Sequence, residues 1–288
     1  MSQQRIRGIV DARPVATFFF FAYAVSWIGW FPVVIGMGEP IRTLSFIAGG
    51  FGPALAGAVV TWLDGESVRA WTRQIVRWRV AARWYLAAFL LPLLVVSLAS
   101  VVIILLGTTV DPTVLSGRLS LVLGSYVFVA LIGGGTRNRA GVGSLSLSAR
   151  GTVRAGPGHA HSGCGLGVLA PPLVADPNAV YSFAWLAEEI PRIVLRVVNI
   201  VGFAFLLTWI YNGTESVLLA LSLHAGINTA NSTLVPLPIE AITGESFMTV
   251  LIAVDLAVWV VAIVLIVATR GQLGYDTTRD TAGRQEFR

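Results

Sequence analysis

Apolar residues run along this chain in blocks, separated by short segments that carry most of the charge. The blocks cover residues 14–37, 44–63, 85–107, 119–135, 193–211, 217–236 and 247–269. Each is near the roughly 20 residues that an α-helix needs to cross the hydrocarbon of a bilayer. The pattern predicts an all-α fold: a polytopic transmembrane helical bundle of about seven spans, forming a single integral membrane domain over residues 1–288. Between the second and third blocks, residues 64–84 carry Arg69, Arg73, Arg77, Arg79 and Arg83 with Trp71, Trp78 and Trp84. That is the composition of an amphipathic helix on a cytosolic interface, and equally of an ordinary basic loop.

Charge placement tests the count. With the N-terminal segment and the arginine-rich loop both inside, the fourth block ends inside, and three more crossings put the C-terminal tail outside. Yet that tail, residues 270–288, holds Arg270, Arg279, Arg284 and Arg288, which the positive-inside rule assigns to the cytosol. One crossing is missing. The gap falls in residues 137–175, which contain no Asp, Glu, Phe, Tyr or Trp, while residues 133–167 hold 11 of the 30 glycines. Residues 137–172 therefore read as an aberrant or disordered segment, and so long a linker is unusual inside a compact domain. His159, His161 and Cys164 within it are metal-ligand types at close spacing, but they match no finger or knuckle pattern.

Composition agrees with a membrane setting. The chain is 55% hydrophobic and only 12% charged, with a mean hydropathy of +0.76; a soluble core of this size would need a more polar surface. The net charge of +5 comes with 20 basic residues, all of them Arg. Because these arginines lie between apolar blocks, the basic balance reflects topology and not nucleic-acid binding. Exclusive use of Arg suggests GC-rich coding DNA. The first block follows Arg5, Arg7 and Arg13, is longer than a signal-peptide core and lacks a clear cleavage site, so it reads as a retained anchor. The lone Cys164 excludes an intramolecular disulfide framework. The expected location is a prokaryotic plasma membrane.

The chemistry that stands out is in Leu218-Leu-Ala-Leu-Ser-Leu-His-Ala-Gly-Ile-Asn228, where His224 and Asn228 lie one helical turn apart in an apolar run. Side chains at that spacing share a helix face and can act on one buried group. An ionisable residue at membrane depth points to function, because leaving it unpaired is costly; a hydrogen bond to a neighbouring helix would also account for it. Asn212-Gly-Thr and Asn231-Ser-Thr spell glycosylation acceptors, but at a cytosolic turn and within a span neither would be used.

The stretch from Leu207 through the Asn212-Gly-Thr turn to His224 and Asn228 resembles the last motif of the CPBP family of intramembrane metalloproteases, related to the CAAX prenyl endopeptidases. The resemblance implies an eight-helix bundle with its site inside the membrane. It also implies two further motifs, Glu-Glu-x-x-x-Arg and a Trp-His-Leu-Pro-like run, neither of which stands in this sequence. Glu188 and Glu189 in Glu188-Glu-Ile-Pro-Arg192 come nearest, but with two residues before the Arg and downstream of the expected place. They read rather as the interfacial start of a helix.

A shifted reading frame would supply both missing motifs, on a choice of codons that the protein sequence allows. Codons for Thr-Glu-Glu-Pro-Gly-Trp-Arg-Arg-Phe-Ala-Leu-Pro, less one base, spell Thr-Arg-Asn-Arg-Ala-Gly-Val-Gly-Ser-Leu-Ser-Leu, which is residues 136–147 here. Codons for Val-Trp-Ala-Cys-Trp-His-Leu-Pro-Leu spell residues 165–173 in another frame. The chain thus looks like a frame-disrupted copy of such a protease. The resemblance further implies that a Glu activates water while histidines and Asn228 position it and steady the oxyanion, acting on membrane-associated peptides or prenylated proteins. Two His and a Glu would suit zinc; at the matched positions this chain offers His224 alone. As written, it is expected to be inactive. The rival expectations are a non-catalytic membrane protein, conferring bacteriocin self-immunity or acting as a scaffold, and a small-solute transporter.

Overall fold

The computed structural model describes residues 14–63, 65, 67–73, 77–131 and 183–274. Every regular element among them is helical. In order these are α1 (Pro14–Val34), α2 (Ile41–Gly50), α3 (Gly52–Leu63), α4 (Val68–Arg73), α5 (Ala82–Leu105), a 3₁₀ turn (Pro112–Leu115) and α6 (Leu119–Leu131). Then come α7 (Phe183–Thr214), α8 (Val217–Thr233), α9 (Ile239–Thr243) and α10 (Phe247–Ala268).

Among the described residues, five helical runs are long and apolar enough to cross a membrane: Ala16–Val34, Ile41–Leu63, Ala82–Leu105, Ile190–Thr214 and Phe247–Ala268. Of the other two expected blocks, the described part of one is the 13-residue α6, which reaches the last described residue Leu131, and the other is the 17-residue α8. The block expected to run to 236 stops at Thr233 because Pro236 and Pro238 follow; a proline lacks the amide hydrogen and disfavours helix in the residue before it. The arginine-rich loop also differs from a single amphipathic helix. Only six residues of it form α4, and residues 77–81 are not helical.

Two apolar clusters hold these helices. Phe18, Ala22 and Trp30 of α1 meet Ala56 and Val60 of α3 in the smaller one. In the larger, α8 packs on α5, α6 and α7, while α10 packs on α5 and α7. Leu206 and Ile210 of α7, Leu219 and Leu223 of α8, and Ala253 of α10 are wholly buried at its centre. Outward-facing positions stay apolar: Leu86, Phe89, Leu90 and Leu93 on α5, and Val260, Ile263, Val264 and Val267 on α10, are all exposed. So much contiguous apolar surface belongs against lipid or protein, not water.

Both ends of α8 are fastened. At its start, the Ser216 hydroxyl accepts from the amide of Leu219 (3.3 Å) and donates to the carbonyl of Arg77 (2.6 Å), satisfying an amide that the helix itself cannot. Glu215, at φ 50°, turns the chain tightly and pairs with the Arg77 guanidinium. At its far end, the buried Arg118 guanidinium donates to the carbonyls of Val235 (3.2 Å) and Leu237 (2.7 Å). Midway, Gly226 lies against Pro92 of α5, where an added Cβ would sit 2.6 Å from the proline ring.

These fastenings orient the bundle. Arg77 and the Glu215 turn share one end with the α10 C-terminus, where the Asn212 side chain donates to the carbonyl of Leu273 (3.1 Å). The opposite end holds Arg118, the 3₁₀ turn and the start of α10, where Arg192 of α7 stacks on Phe247. Helix α6 rises from Arg118, and its Tyr126 bonds Ser222 of α8, so Leu131, the last described residue of α6, is level with the start of α8. Helix α7 begins at the opposite end. Residues 132–182, where the sequence places its missing crossing, its aberrant segment and His159, His161 and Cys164, lie outside the described residues.

Replacing Gly226 by Ala should destabilise the bundle by about 1–3 kcal/mol, because the rigid proline ring cannot yield without moving α5. Gly124→Ala on α6, where nothing lies within 4 Å of the new carbon, should be neutral or mildly stabilising. Unfolding of both variants by SDS titration in mixed micelles checks the contrast.

Candidate functional site

Helix α8 brings His224 and Asn228 together as their spacing requires. The Asn228 side-chain nitrogen lies 2.7 Å from His224 Nε2, and both residues are half-buried. With the amide nitrogen as donor, Nε2 is the acceptor and the ring proton sits on Nδ1; reversing the amide exchanges these roles. Either way the imidazole is held in one orientation by a neighbour on its own helix. Its ring also packs on Phe203 of α7, with centroids 5.1 Å apart, so a second helix limits its rotation. An oriented imidazole with an amide beside it can bind and polarise a small polar group. Hydrolysis would need a carboxylate as well.

Glu188 and Glu189 do not come to this place along the backbone. They lie in the first turns of α7, and Phe203 is 14 positions beyond Glu189 on the same helix, a rise of about 21 Å. Their side chains lie outside the described residues. No group of three or more His, Cys, Asp or Glu that could hold a metal ion occurs among the described residues. His224, the residue that the resemblance would offer to zinc, meets the Asn228 amide and the Phe203 ring.

The acid that does stand at this depth is Asp255 on α10, which accepts a hydrogen bond from the Asn199 side chain of α7. Asn199 is one turn before Phe203, so it is level with Asn228, four residues beyond His224 on the antiparallel α8. Two polar pairs, His224–Asn228 and Asn199–Asp255, therefore occupy one layer of the bundle. The second pair was readable in part, since Asp255 is the sole charged residue of the block 247–269. Its partner was not, because the contact joins residues 56 positions apart on different helices.

No family model matches the chain, and no curated protein matches it.

Asn228→Ala should cost about 0.5–1.5 kcal/mol, the net worth of a hydrogen bond between side chains in such a bundle. A double-mutant cycle with His224→Ala, read by the same SDS titration, should return most of that as coupling. Independent, additive effects would mean that the pair does not bond.

Proposed function

We propose that this chain is a polytopic prokaryotic plasma-membrane protein carrying the remnant of an intramembrane peptidase site of the CPBP type, and that it does not hydrolyse peptides as written. The supporting observation is the His224–Asn228 pair: bonded, oriented by Phe203, and set in the apolar middle of a helical bundle. The charge distribution supports an orientation in that membrane. Arg77, Arg79, Arg83 and Arg270 gather at one end, which the positive-inside rule assigns to the cytosol. Asp111, Glu240 and Glu245 belong to the opposite end.

In a complete site of this type, a Glu would take the proton of the attacking water while His224 and Asn228 hold that water and the developing oxyanion. Such groups act strongly where solvent is scarce. This chain retains the holding part. Its matched positions contain no paired carboxylates, and Asp255 is engaged by Asn199 on α10's side of α7. Zinc, if the complete site uses it, would have His224 as the one matched ligand here. A non-catalytic role in the membrane, such as self-immunity or scaffolding, is consistent with the same deficit and is the second reading.

The full chain in liposomes should cleave a membrane-anchored or prenylated peptide at no more than the rate of its His224→Ala variant. A version with the frame restored through residues 136–173, so that Glu-Glu-x-x-x-Arg and Trp-His are present, should cleave it well above that level and lose the gain with His224→Ala. Equal cleavage by the original and restored chains would overturn the proposal and return Glu188 or Glu189 to consideration as the base.

A further inference from the structure

Asp255 is used by neither the matched motif nor the packing described above. It stands in the ninth position of the 22-residue α10 and is 5% exposed. One carboxylate oxygen accepts from Asn199, while Oδ2 is buried and meets no hydrogen-bond donor. A bond that merely joins α7 to α10 would not need this arrangement. An Asn or Ser at 255 could pair with Asn199 without placing a carboxylate there, and interhelical bonds of that kind are common. Keeping an acid with one oxygen unsatisfied among apolar side chains is costly. Such a group is at rest only when a positive charge or a proton completes it.

We propose that Asp255, held by Asn199, is a monovalent-cation site whose Oδ2 takes up H⁺ or Na⁺. The surroundings leave that role to this carboxylate. On α5, which packs against α10, Arg83 and Tyr85 lie at the basic end and no titratable residue follows them through Leu105. On α7, Arg196 is three residues before Asn199 and exposed, and Arg192 is engaged at the far end with Phe247. On α9, Glu240 lies at that same end. Across α7, His224 is directed to Asn228 and Phe203. Among the described residues, the layer at Asp255 therefore holds one acid, one amide donor to it, and a buried carboxylate oxygen with no donor of its own. The inference is separate from the hydrolytic reading, because Asp255 matches no part of that motif.

Dicyclohexylcarbodiimide, which modifies protonated carboxyls in apolar sites, tests this in the full chain reconstituted in liposomes. Mass spectrometry of the peptide containing Asp255 should show the adduct. If Na⁺ is the ligand, replacing choline by equimolar Na⁺ should slow labelling severalfold at fixed pH; if H⁺ alone is, labelling should follow pH and ignore Na⁺. Asp255→Asn should keep the wild-type unfolding transition and lose the adduct, and Asn199→Ala should shift the pH or Na⁺ midpoint. No labelling of Asp255 at any pH, in a chain that labels once unfolded, would overturn the proposal. So would labelling indifferent to both pH and Na⁺. Neither outcome depends on whether any form of the chain cleaves peptide.

Discussion

The tight turn from Thr214 to Ser216 sets the register on which the rest of the bundle depends. Thr214 Oγ1 accepts from the amide of Ser216 (3.1 Å), Glu215 takes a left-handed conformation, and Ser216 caps α8 while bonding the Arg77 carbonyl. A left-handed residue other than glycine is tolerated where its surroundings over-determine it, and here an ion pair to Arg77 and a helix cap do so. Because the turn fixes how α8 returns along α7, His224 meets Phe203 and Asn228 falls level with Asn199. A slip of one residue in the turn would rotate α8 by about 100° and take the imidazole off that ring.

The other fastenings act on the same helix. Gly226 lets α8 come within contact of Pro92, and Arg118 ties the carbonyls beyond its end. With 17 residues, α8 is short for a bilayer, and the Arg118 guanidinium gives the carbonyls of Val235 and Leu237 a charged donor just beyond its end, near the apolar region where backbone groups need partners inside the protein. The helix that carries the candidate chemistry is thus held at both ends and at its middle. The polar layer it shares with α7 and α10 is correspondingly well defined, and both functional proposals draw on it: one on the His224 side of α7, the other on the Asp255 side.

Much of the architecture was legible from hydrophobicity alone, since a residue's transfer into an apolar medium is a local property that needs no knowledge of the fold. The helices corresponding to blocks 85–107, 193–211 and 247–269 follow from it directly. Their ends depended on neighbours: α7 extends back to Phe183 beyond its apolar block, and α8 stops before the proline pair. The His224–Asn228 bond was legible because helical spacing is itself a distance rule. Asp255 was visible as an isolated charge in an apolar block, but its pairing with Asn199 depends on how α7 and α10 pack, which no spacing along the chain encodes. Glu188 and Glu189, whose spelling comes near the motif that the resemblance implies, lie in the first turns of α7, about 21 Å along the helix from the ring that contacts His224.

The coding DNA offers the most direct test of the proposed origin of this site. Read in its two alternative frames across codons 130–175, it should spell Glu-Glu-x-x-x-Arg beginning just after Thr136 and a Trp-His-Leu-Pro run just before Leu173. Each would join its own reading frame to the present one through single-base changes. Alternative frames that encode neither run would contradict the account, and the His224–Asn228 pair would then stand as a polar contact of a membrane bundle with no hydrolytic ancestry to explain it.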